Sequence, residues 1–323
     1  MEITRIKEKN SLHTFKDSTE AKRLGFFACG MAKALPVDEE VARGYQRWIA
    51  KGYEAGMQYM ANNMDKRLDP RLLVPGVKTI VSVALNYAPR KTLPASEYQL
   101  AAYALGLDYH ELMKERLRTF AESISPIPLP PHGQTEGDNL VRCFCDTAPV
   151  LERYWAMKAG LGWIGKNHQL IIPHAGSMFF LGEVFLPFEV DVYDKPMTSR
   201  CGNCHRCLDA CPTHAITEKA EFESDKCLSY QLIENRGELS SEAKAAMGNT
   251  IYGCDRCLAA CPWNRFSIPT TEPSLQAKPE LLAMTKEDWH NLSVDDYRKL
   301  FKGSAVKRVK FEGLKRNIAA KKE

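Results

Sequence analysis

Eight of the eleven cysteines fall between Cys201 and Cys261, in a pattern that leaves few folds open to the chain. Cys201-x2-Cys204-x2-Cys207-x3-Cys211-Pro212 has the spacing of a bacterial-type ferredoxin loop, in which three thiolates hold one [4Fe-4S] cube and the fourth reaches another. Cys254-x2-Cys257-x3-Cys261-Pro262 repeats the back half of that run, and Ile251 stands where its leading cysteine belongs. The lone Cys227 fills the gap. Two cubes then take all eight thiolates: Cys201, Cys204, Cys207 and Cys261 on one, Cys211, Cys227, Cys254 and Cys257 on the other. The competing chemistry is a pair of zinc tetrahedra, which also use C-x2-C knuckles. The x2-x2-x3-Pro spacing, given in full and then in part, favours iron.

At 323 residues the chain is too long for a bare ferredoxin and suits two domains, or one large domain with an insert. Its first residues, MEITRIKEKN, are charged, and its longest apolar run, 178–188, is interrupted by Glu183. Neither a signal peptide nor a membrane span is expected, and thiolates arranged as ligands suit a reducing, cytoplasmic setting. Net charge is +4, yet residues 298–323 carry ten Lys/Arg against Glu312 and Glu323, leaving the rest of the chain at −4. Such a basic end is a footprint for phosphate backbones or a solvated face that keeps the protein soluble.

Along the chain, Asp17 or Ser18 is placed to cap a first helix through Ala21 and Leu24, and a second helix is expected over 39–52. Residues 77–85 read as a buried β-branched strand, and 98–124 as a long amphipathic helix interrupted at Gly106. Residues 140–145 read as a strand whose Val141, Cys143 and Cys145 share a face. Those two cysteines read as buried hydrophobes rather than ligands. Asp146 ends that strand, a position that suits either chemistry or turn capping. A helical pattern over 151–159 leads to Gly160, Gly162 and Gly165, three glycines that permit close backbone approach to a bulky or phosphate-bearing partner. Strands over 170–172 and 178–185 close a mixed α/β unit, with a boundary near 200. Short helices are expected over 281–301. Two clusters ahead of which stand about 200 residues argue for a reductase feeding a second redox centre over a bare electron carrier.

Asp146-Thr-Ala-Pro149 with Glu152-Arg153, Gly162-Trp163-x-Gly165-Lys166-Asn167, Cys227-x-Ser-Tyr-x3-Glu234-Asn235-Arg236-Gly237 and Cys254-Asp-x-Cys257-x3-Cys261-Pro-Trp-Asn264 closely resemble the epoxyqueuosine reductases, over residues 17–317. The resemblance implies an α/β (α+β) chain in three parts: a nitroreductase-like cobalamin-binding domain (1–199), a ferredoxin-like module for two [4Fe-4S] clusters (200–270) and a short helical basic C-terminal segment (271–323) without the helical repeats of many relatives. It implies reduction of an epoxide on the tRNA wobble base, the last step of queuosine synthesis.

By the same resemblance Asp146 is the proton donor, with a pKa expected to be raised by burial. Arg67, Tyr109, Arg153, Lys166 and Asn167 are cobalamin contacts. The Asp-x-His-x-x-Gly signature of a histidine-ligated cobalamin is missing from the sequence, so binding without a histidine ligand is implied. Ser229, Tyr230 and Glu234 would read the RNA, although that stretch also suits a plain connector, and Lys66-Arg67 also suits a solvated loop. The basic end would grip phosphates, making binding fall steeply with salt. A monomer served by a low-potential donor of flavodoxin or ferredoxin type is expected. The alternatives are a reductive-dehalogenase-like enzyme acting on a small molecule and a non-catalytic two-cluster carrier.

Overall fold

The computed structural model describes residues 19–131, 137, 139–217 and 221–321. The caps expected at Asp17 or Ser18 lie outside the described residues. The elements that position the site begin with α1 (Thr19–Arg23), β1 (Ala28–Lys33), α2 (Glu39–Ala50), β2 (Thr79–Asn86) and β3 (Gln99–Leu100). They continue with α3 (Tyr109–Ile124), β4 (Arg142–Phe144), α4 (Glu152–Lys158), β5 (Trp163–Ile164), β6 (Leu170–Ile171) and β7 (Phe179–Leu186).

Four of these strands form one sheet in the order β1-β2-β7-β4, with every neighbour antiparallel. β2, the β-branched run, lies inside the sheet and buries Thr79 to Leu85 without a break, because helices cover both faces. α3 lays Tyr109, Met113, Leu117, Phe120, Ala121 and Ile124 against Val81, Val83 and Leu85. Truncating a ring as enclosed as Phe120 costs about 3–5 kcal/mol. α4 packs Tyr154, Trp155 and Ala156 on the opposite face with Ile80, Ala84 and Phe185. The two-residue period of a strand turns Ser82 and Glu183 to that second face, where they sit opposite each other in register. Val141, Cys143 and Cys145 do share the α3 face.

The helix expected over 98–124 is shorter than its pattern. Residues 99–100 are strand, 102–104 a 3-10 turn, and only 109–124 is α-helix, opened by Asp108 accepting from the His110 N–H at 3.1 Å. Gly106 separates them because the backbone of Leu275 crosses there, 2.6 Å from where a Cβ would stand.

Beyond residue 200 come α5 (Arg206–Asp209), α6 (Leu228–Ile233), β8 (Thr250–Tyr252) and α7 (Arg256–Ala259), then α8 (Lys286–Asn291), α9 (Val294–Leu300) and α10 (Lys310–Ala319). β8 pairs in parallel with β3. Leu100, Leu105, Tyr252, Trp289, Phe301 and Ile318 share one core, so residues 93–105 pack with the C-terminal helices rather than with the main sheet. The whole is a mixed α+β chain. No described helix is long and apolar enough to cross a membrane.

Candidate iron–sulfur and proton-transfer site

The cysteine thiols fall into two groups. Burial raises the Cys207 thiol, and Cys261, Cys201 and Cys204 raise it further; Cys261 in turn has Cys201 and Cys204 beside it. Cys257 is pushed up to about 12, by burial and then, in falling order, by Cys254, Cys227, Cys211 and Cys207. Cys254 is raised to about 11 by burial, with Cys227 adding to it, and Cys227 has Cys211 as its thiol neighbour. Apart from Cys207, which also acts on Cys257, the neighbours of each thiol belong to its own quartet as drawn from spacing.

Eight thiols pressed together are poorly placed unless something cationic joins them. Backbone N–H groups already point at the sulfurs: Ser229 and Tyr230 at Cys227, Arg256 at Cys254, Trp263 and Asn264 at Cys261. The Ala215 N–H reaches Cys211 Sγ at 3.3 Å. Such donors stabilise thiolates, and the donor set fits two iron–sulfur cubes. Among the described residues no three His, Cys, Asp or Glu side chains converge on a single metal ion; cube ligation has no need of that, since each sulfur binds its own iron.

Lys166 and Asn167 bind the cluster loops to the sheet domain. Lys166 Nζ donates to the carbonyls of Gly202 (2.8 Å) and Cys204 (2.9 Å), and Asn167 Nδ2 to that of Cys257 (3.4 Å). Trp163 meets Trp263 edge to face at 4.9 Å, and Asn264 Oδ1 accepts from the Ser177 N–H at 2.7 Å. The glycines before this turn pack against the chain that follows it, from Asn167 to Lys195. A Cβ on Gly162 would fall 2.0 Å from the Ile171 carbonyl, so the partner brought close is the protein's own backbone, which corrects the reading of a ligand-facing glycine loop.

Asp146 sits just beyond β4 with φ of 55°, a left-handed conformation that costs a non-glycine residue and that recurs at functional sites. Its side chain keeps 60% of its accessible surface although protein atoms crowd it on its other sides. Its Oδ2 accepts from the Tyr109 hydroxyl at 2.5 Å and lies 3.7 Å from His110 Nε2, while its N–H donates to Glu152 Oε1. Tyr109 is clamped by stacking on Phe180 at 3.9 Å.

Burial pushes the Asp146 carboxyl up, but the His110 ring 3.7 Å away and the hydrogen bond from Tyr109 outweigh it, holding it below the usual carboxylate range. The expectation of a raised value is corrected: the proton that Asp146 gives up is kept next door. His110 is raised to about 9, first by Asp108, whose Oδ1 is 2.6 Å from its Nδ1, and then by Asp146. Glu152 is raised to about 8 by burial and by the Asp146 charge. Arg153 lies exposed at the start of α4, one guanidinium N–H on the His168 carbonyl at 2.5 Å. Arg67 is buried, with one N–H on the Tyr59 carbonyl at 3.1 Å and its Nε without a partner.

Ser229 and Tyr230 lie on α6, and Glu234 directly follows it. The Tyr230 hydroxyl accepts from the Gly56 N–H at 2.8 Å, and Glu234 forms a two-pronged pair with Arg308 at 2.8 and 2.9 Å. From α10, Arg316 donates to the carbonyls of Gln231 and Asn235, and Asn317 to that of Leu232. Two arginines of the basic end are thus committed inward, correcting the view of that stretch as a free phosphate grip; Lys302, Lys307 and Lys310 remain exposed. Tyr59, 46% exposed, stands between this segment and the acid: after burial, Glu234, Arg308 and Asp146 are the influences on its hydroxyl.

His110, Glu152, Glu183 and Tyr59 were given no role from sequence. Only Glu183 had a clear signal, an acid inside an apolar run.

Eight clustered thiols, an interface stitched by Lys166 and Asn167, and an exposed acid beside Tyr109 and His110 define an iron–sulfur oxidoreductase. Residues 200–264 match the family model for a 4Fe-4S double cluster binding domain, and residues 67–147 match that described as Epoxyqueuosine reductase QueG, DUF1730. The chain is 43% identical to the epoxyqueuosine reductase of Cellulophaga algicola, over 95% of this chain and 97% of that one, and 37% identical to that of Pseudomonas aeruginosa, over 92% and 81%. It superposes on a crystal structure of epoxyqueuosine reductase with a tRNA-Tyr epoxyqueuosine-modified stem loop at a TM-score of 0.81, and on the Bacillus subtilis enzyme with its catalytic loop swung out of the active site at 0.80. Both are 26% identical, over 98% of this chain and 81% of theirs. The chain belongs to the epoxyqueuosine reductase family.

Proposed function

We propose that this chain reduces the epoxide of epoxyqueuosine at the wobble position of tRNA, giving queuosine, with two [4Fe-4S] clusters, cobalamin and Asp146 as proton donor. The observation that carries this reading is the solvent-open Asp146 held between Tyr109 and His110, in a chain of this family. Removing an epoxide oxygen as water, leaving a carbon–carbon double bond, takes two electrons and two protons. The clusters that the cysteines would hold would supply the electrons, and the residues around Asp146 hold the protons.

The donor set of the site fits cobalamin, whose rim carries amide groups: the Arg67 Nε lacks a partner and Arg153 is exposed. Arg67, Tyr109, Arg153, Lys166 and Asn167 are the proposed contacts, the last two through the turn they stiffen against the cluster loops. Cobalamin, when bound, supplies a strongly reducing cobalt centre. With the ring oxygen near its Oδ2, Asp146 delivers a proton drawn from His110, and the Asp108 carboxylate steadies His110 in position. Tyr109 fixes the Asp146 rotamer.

In this reading 1–199 hold the cofactor, 200–270 the clusters, and 271–323 brace the RNA-facing segment. Ser229, Tyr230 and Glu234 lie beside the base, with Tyr59 as an aromatic surface of the kind on which unstacked bases rest. A low-potential donor of flavodoxin or ferredoxin type, a monomer and a cytoplasmic site complete the proposal. Asp146→Asn is expected to lower epoxide reduction by about 10²–10⁴-fold with iron content unchanged. Nucleoside mass spectrometry of treated tRNA reads this directly, and full conversion by the variant would reject Asp146 as donor.

A further inference from the structure

Electrons for iron–sulfur clusters enter one at a time from another molecule, and the structure separates an inner thiol quartet from an outer one. Cys211, Cys227, Cys254 and Cys257 pack among apolar side chains such as Ile216, Phe222 and Leu228. They also stand on the side of the acid. Tyr252, two residues before Cys254, accepts from the Tyr103 hydroxyl at 3.1 Å, the Tyr103 ring lies 6.5 Å from that of Tyr109, and Tyr109 holds Asp146. Around the other quartet the chain comes to the surface, with Gly202, Asn203, His205 and Arg206 exposed between Cys201 and Cys207.

The surface beside that outer quartet is basic and aromatic. Arg200, next to Cys201, lies over the Trp163 ring at 5.9 Å, and Trp163 meets Trp263, two residues after Cys261. The Trp263 ring is 6.0 Å from that of Phe266, over which Arg265 lies at 4.6 Å. These contacts join Arg200 to Arg265 in one surface, on which both arginines are exposed and Trp263 and Phe266 half-buried. Residues 195–208 carry Lys195, Arg200 and Arg206 without one acid, and 256–271 carry Arg256 and Arg265 without one. The acids just beyond these stretches have other partners: Asp194 accepts from the Met31 N–H at 2.9 Å, Asp209 is 2.6 Å from His205 Nδ1, and Glu272 pairs with Arg116.

We propose that this face docks an acidic one-electron carrier protein, which passes its electron to the cluster held by Cys201, Cys204, Cys207 and Cys261. The inference rests on the low-potential donor of the reading above and gives it a place to bind. In each encounter the carrier is oxidised by one electron and one iron–sulfur cube is reduced by one, so two encounters supply the pair that the epoxide takes. Opposite charge guides the approach, and the half-buried rings let the two surfaces close over the thiolates. Electron-transfer encounters are small and transient, so the arginines act on the rate of association and its salt dependence more than on lasting affinity.

The test follows bleaching of the cluster absorbance by stopped flow, in the cluster- and cobalamin-loaded enzyme without tRNA. Reduced flavodoxin is the acidic probe, and reduced methyl viologen, a small cation, is the comparison. Arg200→Glu combined with Arg265→Glu is expected to lower the second-order rate with flavodoxin about tenfold at low salt and to flatten its decline with added salt. The rate with methyl viologen is expected to stay at the parent value or above. Arg200→Gln with Arg265→Gln should fall between parent and charge reversal. Lys91→Glu with Lys114→Glu makes the same change of charge at exposed positions outside this face and is expected to have a much smaller effect. The proposal is overturned by a flavodoxin rate that charge reversal leaves unchanged, by an equal fall with methyl viologen, or by an equal fall in the lysine pair. A parent enzyme that takes no electrons from flavodoxin also overturns it. The epoxide reading fails separately: clusters reduced by flavodoxin, with no queuosine formed once tRNA is added, would reject that reading and leave the docking face standing.

Discussion

At Asp146 the decisive comparison is between burial, which favours the neutral acid, and the Tyr109 hydrogen bond with the neighbouring His110 ring, which favour the carboxylate. These neighbours win, so near pH 7 the resting site holds an ionised Asp146 beside a protonated His110 and a largely protonated Glu152. Both neighbours hold their protons above the pH at which an unfolded chain releases them, about 6.5 for His and 4.3 for Glu. The folded state then binds more protons than the unfolded, and the contribution of these two groups to stability declines as pH rises. His110 stabilises fully below about 6.5 and loses its effect as pH passes about 9; Glu152 becomes a burden as pH rises from about 4.5 through 8. Urea unfolding of cofactor-free protein between pH 5 and 9 should therefore show Glu152→Gln gaining on the parent as pH increases. A stability difference that stays constant, or runs the other way, would place the Glu152 proton elsewhere.

Among the elements, α10 shows how a basic stretch acquires a task its composition does not reveal. Arg316 holds the carbonyls of Gln231 and Asn235 at 3.0 and 2.8 Å, and Arg308 fixes Glu234, so the segment after α6 is shaped from across the molecule. Arg316→Ala is expected to raise KM for tRNA about tenfold with kcat little changed, the pattern of lost binding rather than lost chemistry. Amide exchange over 231–238 should quicken in the same variant; an unchanged exchange pattern would mean that the segment holds its shape unaided. Sequence could not reveal this brace, because a run of charges carries no record of what it meets some 80 residues away. By contrast β2, the face shared by Val141, Cys143 and Cys145, and α3 from Tyr109 onward were legible, since each rests on a local period that burial enforces. The strand at Gln99–Leu100 was not, because two residues carry no period and the pairing with β8 alone decides their state. Asp146 was legible as a candidate, but its charge state depends on His110 and Tyr109 arriving from another element.

For the molecule as a whole, the crossing of the cysteine loops matters more than either loop alone. Cys261 stands beside Cys201 and Cys204, whereas Cys254 and Cys257, from the same run, stand with Cys227 and Cys211. On the proposed pairing each cluster would tie together segments far apart in sequence, and Lys166 fastens the first loop to the sheet domain. Losing one ligand should cost one cluster and leave its neighbour, so Cys261→Ala and Cys227→Ala are each expected to drop iron from about eight atoms per chain to about four. Anaerobic EPR of the reduced variants distinguishes the survivors, because the cluster kept by Cys261→Ala is the one that Cys227→Ala removes. Two different single-cluster spectra that together account for the parent spectrum are the expected outcome. The same surviving spectrum from both variants would mean that Cys227 and Cys261 ligate one cube, and the assignment of thiolates to clusters would have to be redrawn.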